Sequence, residues 1–317
     1  MKKITGNLIF FVNRKCPLNC PSCSAAATPL NNKELSPLWL TEFFNRLKDL
    51  EFPGYITWTG GEPFLSFKTL KTGIELAAEA KYHSEILTGG AWFDNNPGLL
   101  KQLRAVGNFS LRISLDAEHQ EKIPLRLIFA LIEAALRLNV EVNFTLRSIP
   151  GREAASFYKD AIKKALPDFY RKNRGRSRWI HTIPHIGTVP EKERTPACAG
   201  APLPASGKWQ NSCRQGFRDL VIGEDGLFYP CCGLFTLSCY RRLAVGDPLK
   251  ESWPVLLNKQ NRKPLFRVLK EKGPYFICLE LGKQLEIRSS SFNNPCDVCL
   301  ALFRRYGEEV LALFDRG

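Results

Sequence analysis

The sequence predicts an α/β protein built around a parallel sheet, followed by a smaller second module. Two observations carry this prediction. Six strand-like segments alternate with helix-like stretches, and the composition shifts toward proline and small residues after about Gly187. The 317 residues, of which 44% are hydrophobic, are enough to bury one large core and a smaller one.

The strand-like segments cover residues 7–12, 55–58, 85–88, 110–115, 140–147 and 178–183. Helix-like stretches separate most of them. Repeated strand–helix units imply a parallel sheet, and the right-handed crossover rule curls such units toward a barrel.

Two helices between these strands have clear signals. Ser36-Pro37 is typical of a helix start, with serine at the cap and proline in the first turn. Apolar residues follow at helical spacing, at Leu40, Phe43, Phe44 and Leu47. The stretch 127–138 repeats this spacing with Ile128, Leu131, Ile132, Ala135 and Leu136.

The second module is predicted to begin near residue 191, so that the chain divides into 1–190 and 191–317. Pro196, Pro202 and Pro204 indicate a connecting segment. Residues 221–230 are typical of a hairpin with a tight turn at Asp225-Gly226. Helical spacing from 300 to 314 predicts a helix that covers this module.

Cysteine content and hydropathy narrow the class of protein. No apolar run approaches the roughly 20 residues that span a bilayer, and residues 1–6 lack the long apolar stretch of a signal peptide. We therefore expect a cytoplasmic protein with no membrane partner. Because a reducing cytosol keeps thiols free, the eleven cysteines favour metal ligation over a disulfide framework.

Three of these cysteines form the most informative motif. Cys16, Cys20 and Cys23 have the spacing C-x3-C-x2-C after an apolar strand. Since a cubane iron–sulfur cluster normally takes four thiolates, three of them leave one iron open to another ligand. The spacing resembles the radical S-adenosylmethionine (SAM) superfamily, whose open iron chelates SAM through its amino and carboxylate groups. A zinc site or a few buried thiols is the alternative.

A second motif, Gly60-Gly61-Glu62-Pro63, follows the next strand and is similar to the GGEP motif of that superfamily. Glycines let the backbone approach a ligand closely, and a carboxylate accepts hydrogen bonds from an ammonium group. The resemblance implies that this loop binds the SAM amino group. A plain strand-to-helix turn is the alternative.

Four further polar residues lie at strand ends where the superfamily places SAM contacts. Ser114 and Asp116 resemble the segment that contacts the ribose, whose hydroxyls suit hydroxyl and carboxylate partners. Thr88 is expected to make a polar contact, and Arg147 to pair with the SAM carboxylate. Each is alternatively a capping or surface residue.

The second module contains Cys213, Cys231, Cys296 and Cys299. With Gly226 placed before Cys231, this pattern resembles the twitch domain, the shortened relative of the SPASM domain. The resemblance implies one auxiliary [4Fe–4S] cluster, and it sharpens the fold to a partial (β/α)6 TIM-like barrel followed by a twitch-type hairpin and helix. A four-thiolate structural zinc site is the alternative.

Cys232 is a candidate catalytic residue. It neighbours the presumed ligand Cys231, and relatives that epimerise peptide residues use an accessory cysteine to donate a hydrogen atom. The alternatives are that Cys232 is a small buried hydrophobic residue, or that Cys198 has the donor role.

The formal charge of +14 and the basic run 171–178 suggest an acidic partner, although a solvated loop also explains the run. The resemblance implies reductive cleavage of SAM to a 5′-deoxyadenosyl radical, with an electron donor such as flavodoxin or ferredoxin. We expect modification of a ribosomally made peptide by epimerisation or cross-linking. The alternatives are oxidation of an aminocyclitol or sugar-like alcohol, and a zinc-dependent nucleic-acid-binding protein without catalysis, for which no RNA-binding module is evident.

Overall fold

The sheet of the protein is mostly parallel, and its first six strands along the chain are the six predicted ones. The computed structural model describes residues 6–21, 23–47, 55–147, 155–173, 179–182, 212–213, 216–237, 239–283 and 295–315. Within them the strands are β1 Leu8–Asn13, β2 Ile56–Gly60, β3 Ser84–Thr88, β4 Phe109–Leu115, β5 Glu141–Arg147, β6 Trp179–Thr182, β7 Leu220–Ile222 and β8 Phe228–Tyr229. Their order in the sheet is β6-β5-β4-β3-β2-β1-β7-β8.

Helices connect these strands and continue to the end of the described chain. They are α1 Pro37–Leu47, α2 Phe67–Glu79, α3 Gly98–Arg104, α4 Ala117–Gln120, α5 Leu125–Arg137, α6 Ala155–Ala165, α7 Pro167–Asn173, α8 Trp253–Arg262, α9 Pro264–Glu271, α10 Pro274–Glu280 and α11 Pro295–Asp315. Short 3-10 turns cover Pro63–Ser66, Ala91–Phe93, Cys232–Thr236 and Tyr240–Leu243. No described helix is long and apolar enough to cross a membrane.

Strands β1 to β6 all run parallel, which confirms the α/β class and the partial (β/α)6 barrel. Their carboxyl ends therefore meet along one edge of the sheet, where barrel chemistry usually lies. The predicted helices begin and pack as expected: α1 starts at Pro37 and buries Leu40, Phe43, Phe44 and Leu47. The stretch predicted at 127–138 forms α5, which begins two residues earlier. It buries the expected residues except for Leu136, which is 39% exposed.

Aromatic packing fixes β1 and β2 against α1 and α2. The rings of Phe10 and Trp58 stack at 4.8 Å, and Phe43 meets Phe10 edge-on at 5.2 Å. A Cβ at Gly73 of α2 would lie 2.4 Å from the Trp58 ring, so this glycine lets the helix pack directly on the indole. The start of the strand that leads to Cys16 is thus buried in the main core.

The predicted hairpin is confirmed and joins the same sheet. Strand β7 pairs in parallel with β1, and β8 pairs antiparallel with β7. Gly226 has φ +78°, a backbone conformation that favours glycine, and its N–H donates to the Gly223 carbonyl at 2.9 Å. Helix α11 contains the stretch 300–314 that was predicted to be helical, and it has a kink at Tyr306.

Candidate functional site

The first thiol loop, residues 14–28, begins directly after β1. The Cys16 N–H donates to the Thr28 carbonyl at 3.1 Å and the Cys23 N–H to the Cys20 carbonyl at 3.1 Å, so the loop folds back on itself. Asn19 and Ala26 both have φ +46°, which reverses the chain within the loop. Cys16, Cys20 and Cys23 are all half-buried at the carboxyl end of β1.

The thiols of this loop have a local environment that bears on metal binding. Burial, followed by the nearby charges of Glu62 and Cys23, raises the pKa of Cys16 to about 11. The backbone N–H of Ala27 points at the Cys23 Sγ at 3.5 Å. A metal that binds here must therefore displace a proton from Cys16, as thiolate ligation generally requires.

The two glycines of the Gly-Gly-Glu-Pro loop press against the first thiol loop. A Cβ at Gly60, where φ is +139°, would lie 2.2 Å from the Asn13 carbonyl oxygen. A Cβ at Gly61 would lie 2.2 Å from the Lys15 carbonyl oxygen. Because a Cβ atom does not approach a backbone oxygen this closely, side chains are excluded at both positions. The sequence led us to expect close approach to a ligand, and the described contacts are with the chain itself.

Glu62 is the buried acceptor at the centre of this loop. Its carboxylate accepts hydrogen bonds from the Thr88 hydroxyl at 2.9 Å, from the Gly89 N–H at 3.1 Å and from the Phe64 N–H at 3.3 Å. Burial nevertheless raises the pKa of Glu62 to about 7, because these hydrogen bonds offset the loss of hydration only in part. A cationic N–H group brought next to this carboxylate would favour its ionised form.

The Thr88 hydroxyl is a junction of the same network. It accepts hydrogen bonds from the Gly90 N–H at 3.0 Å and from the Trp92 indole N–H at 2.9 Å while it donates to Glu62. The Trp92 ring stacks on Phe64 at 3.6 Å. The strand end β3 and the motif loop are therefore locked together, with Glu62 held in one orientation.

Ser114 and Asp116 follow the next strand, β4. Ser114 is half-buried, whereas Asp116 is buried and caps α4. The Asp116 carboxylate accepts from the His119 N–H at 3.0 Å and contacts the His119 Nδ1 at 2.8 Å. Arg147 is the last residue of β5 and pairs in register with Thr182, but its side chain lies outside the described residues.

Asn13 and Arg14 were missed by sequence reasoning. The Asn13 amide donates to the Glu62 carbonyl at 3.0 Å and to the Ser66 hydroxyl at 2.8 Å, so it holds the motif loop on β1. The Arg14 guanidinium donates to the Ala25 carbonyl at 3.1 Å within the first thiol loop. Their only signal was their position at the end of a strand just before the cysteines.

Four of the other thiols line one cavity of about 50 Å³, here called the C-terminal cavity. Cys213, Cys231, Cys296 and Cys299 are joined in its wall by apolar side chains such as Phe217, Leu234, Phe266 and Phe303. Backbone N–H groups of Gly216 and Gly233 point at the Cys213 and Cys231 sulfurs, each at 3.3 Å. The structure thus brings together the four cysteines that the sequence grouped.

The electrostatics of the C-terminal cavity differ from those of a solvated site. Burial is the largest cause that raises the pKa of Cys296, to about 12, and of Cys299. For Cys231 the hydrogen bond with Cys232 is the largest cause of the raised pKa, followed by burial.

Among the described residues, no group of three or more His, Cys, Asp or Glu side chains is placed to hold a single metal ion.

Cys232 is exposed and does not line the C-terminal cavity. The alternative interpretation as a buried hydrophobic residue is therefore wrong, because its side chain faces solvent at the start of a 3-10 turn. Cys239 and Cys278 are buried instead. Cys198 and positions 174–178 of the basic run lie outside the described residues.

Comparisons with known proteins find one matching family and one similar relative. The model of the radical SAM superfamily matches residues 10–164. YydG of Bacillus subtilis (strain 168), whose name assigns it provisionally to peptide biosynthesis, is 20% identical over 92% of this chain and 90% of its own.

Two solved structures share the fold. Native anSMEcpe with bound AdoMet and Kp18Cys peptide is 13% identical, with a TM-score of 0.58 over 98% of this chain and 99% of that one. BtrN in complex with AdoMet and 2-DOIA is 16% identical, with a TM-score of 0.50 over 86% and 89%. At these identities the likeness concerns the fold alone.

Proposed function

The chain belongs to the radical SAM superfamily, and we propose that it is a peptide-modifying member that removes a hydrogen atom from a peptide substrate. The observation that carries this proposal is the similarity to YydG along nearly the whole of both chains, since that protein is named for peptide biosynthesis. The fold of anSMEcpe, which binds a peptide together with AdoMet, is compatible with such a substrate.

As an enzyme of this superfamily, the protein uses SAM and a SAM-binding [4Fe–4S] cluster. When bound, this cluster supplies the electron that cleaves SAM to a 5′-deoxyadenosyl radical. We assign its ligation to Cys16, Cys20 and Cys23. The donor set fits, because three half-buried thiols in one loop leave one iron open for SAM.

Glu62 is proposed to hold the amino group of SAM. Thr88, Gly89 and Phe64 fix the carboxylate from three directions, so it needs no reorganisation when a donor arrives. Gly60, Gly61 and Pro63 are proposed to act through this loop, because the glycines allow it to lie against the thiol loop. A SAM molecule held by Glu62 would thus lie beside the first cluster.

Ser114, Asp116 and Arg147 remain proposals for the rest of SAM. Ser114 and Asp116 are assigned to the ribose hydroxyls, with the addition that the Asp116 carboxylate also orients His119. Arg147 is assigned to the SAM carboxylate from the end of β5. Each lies at the carboxyl edge of the same parallel sheet.

The C-terminal cavity is proposed to hold one auxiliary [4Fe–4S] cluster on Cys213, Cys231, Cys296 and Cys299, within a twitch-type domain of residues 191–317 that follows a barrel domain of residues 1–190. Four thiolates leave no iron open. The other described side chains in its wall are apolar, so none of them offers a substrate a polar contact. We therefore assign this cluster to electron transfer or to stabilising the fold around the substrate.

The experiment uses anaerobically purified protein with SAM, dithionite and each short peptide encoded beside its gene. We expect a change in the mass or stereochemistry of one peptide, in step with 5′-deoxyadenosine formation. The Cys16/Cys20/Cys23→Ala variant should do neither. Oxidation of an aminocyclitol by the unmutated enzyme, with every peptide unchanged, would overturn the proposal. An acidic peptide and a flavodoxin or ferredoxin donor are the partners we propose to test first.

A further inference from the structure

We propose that Arg14 is a positioning residue that couples the first thiol loop to the turn carrying Cys231 and Cys232. This inference rests on the proposed assignment of the two cluster sites. It concerns how the loops are held, and it makes the hydrogen bonds of Arg14 a route by which SAM binding in the barrel changes the turn beside the C-terminal cavity.

The guanidinium of Arg14 bonds to both loops at once. Its Nε donates to the Ala25 carbonyl at 3.1 Å, two residues after Cys23. Its Nη2 donates to the Phe235 carbonyl at 2.7 Å, four residues after Cys231. Because the five donors of a guanidinium lie in one rigid plane, the two carbonyls are fixed relative to each other.

The charge of Arg14 is also compensated inside the protein. Its side chain is only 10% exposed, and its Nη1 lies 3.8 Å from the Glu224 Oε1. The Tyr240 hydroxyl donates to the same oxygen at 2.9 Å, and the Tyr240 ring lies 5.0 Å from the Arg14 Cζ. A charge this deeply buried is retained only where its partners repay the loss of hydration.

The C-terminal region does not depend on Arg14 for its attachment. Strand β7 pairs with β1, and the ring of Phe235 stacks on Phe11 at 4.1 Å. Since β7 is parallel to β1 and β8 is antiparallel to β7, β8 runs away from the sheet edge at which Cys16 lies. The 3-10 turn Cys232–Thr236 then returns it, and Arg14 meets it there. Loss of Arg14 should therefore free the loops and leave the sheet intact.

The test uses three variants of the holoenzyme. Arg14→Gln/Glu224→Gln removes both charges, so that no buried charge is left alone. Arg14→Lys keeps the charge but has a single amino group in place of the planar fork. Arg137→Gln, in an exposed pair with Glu133, is the matched control. Iron content and thermal melting check that each variant is assembled.

Hydrogen exchange, followed by mass spectrometry, then reports on the two loops with and without SAM. In the native enzyme, SAM should slow exchange of amides 233–237 as well as 24–28. In both Arg14 variants we expect exchange in both segments to rise about tenfold, as expected for the loss of hydrogen bonds from a charged donor. The SAM response at 233–237 should vanish, while SAM still perturbs the paramagnetic resonance of the first cluster.

Native-like SAM protection of 233–237 in the Arg14 variants would overturn the proposal, as would its absence in the native enzyme. If the double variant does not assemble, Arg14→Lys decides by the same criterion. A native protein without iron would instead overturn the assignment of the cluster sites, which separates the two failures.

Discussion

The two groups of thiols are held in opposite ways. Cys16, Cys20 and Cys23 lie in one loop whose own backbone hydrogen bonds shape it, and a buried carboxylate, Glu62, is close enough to raise the pKa of Cys16. The four thiols of the C-terminal cavity come from three separate stretches of chain and are surrounded by apolar side chains. The first group thus lies beside a buried carboxylate, whereas the described wall around the second is apolar, which fits the proposed open site and the proposed fully ligated site.

This difference has a physical reason. Under the proposed assignment, the first site must keep one coordination position and one hydrogen-bond acceptor available for SAM, which fits its place at the carboxyl edge of the sheet. A fully ligated cluster needs neither, and apolar surroundings protect it from solvent. The predictions below test this contrast, beginning with the change expected to have the largest effect.

Loss of single cysteines should separate the two sites most clearly. Cys20→Ala removes a proposed ligand of the open site, so SAM cleavage should fall to background and about four of about eight irons should be lost. Cys299→Ala should lose a similar number of irons, but SAM should still perturb the paramagnetic resonance of the remaining cluster. Iron analysis and resonance spectra of both variants check this.

Cys278→Ala is the matched control, because Cys278 is buried but does not line the cavity. It should keep all the iron. If Cys299→Ala retained full iron, or if Cys299→Ala and Cys20→Ala abolished the SAM response equally, the contrast between an open and a closed site would be wrong.

Glu62→Gln should have the next largest effect. The amide keeps the shape of the side chain and one neutral acceptor but loses the negative charge. Because a hydrogen bond to a charged group contributes about 1.5–3 kcal/mol and a neutral one about 0.5–1.5 kcal/mol, we expect SAM to bind about tenfold more weakly, with iron content unchanged. Equilibrium binding of SAM to the variant measures this. Glu79→Gln, at the exposed end of α2, should bind SAM normally.

The pH dependence of SAM binding should follow from the same carboxyl group. The pKa of Glu62 is raised to about 7 by burial, so the group is protonated at lower pH and must lose its proton to accept from the SAM amino group. Affinity should rise with pH up to about 7 and fall by up to about tenfold for each unit below it. Binding isotherms from about pH 5.5 to 7.5 test the sign, and the Glu62→Gln variant should lack this slope.

Much of both regions follows from sequence because the signals are local. The six parallel strands, the hairpin at Asp225-Gly226 and the grouping of the thiols all depend on apolar spacing, turn residues and motif order. The pairing of β7 with β1 had no signal, since apolar alternation indicates which face is buried but not which edge a hairpin joins.

The contacts around Asn13, Arg14 and Trp92 were equally hidden. Each contact joins residues that are far apart in the sequence, so only the folded chain brings the partners together. The requirement for glycine at positions 60 and 61 also comes from tertiary packing, because the atoms that exclude a Cβ belong to Asn13 and Lys15. Sequence spacing thus groups the cysteines, but it does not predict which distant residues hold their loops in place.

The smallest expected change is that of Cys232→Ala, compared with loss of its neighbour Cys231. Cys231 lines the C-terminal cavity, whereas Cys232 is exposed beside it and shares a hydrogen bond with it. Cys231→Ala should lose about four irons. Cys232→Ala should keep its iron and should cleave SAM at a native rate, because no ligand is removed. If Cys232 donates a hydrogen atom to the substrate radical, this variant should consume SAM yet leave solvent deuterium out of the peptide. Loss of iron from Cys232→Ala would make Cys232 a ligand, and native deuterium incorporation would remove it from the reaction.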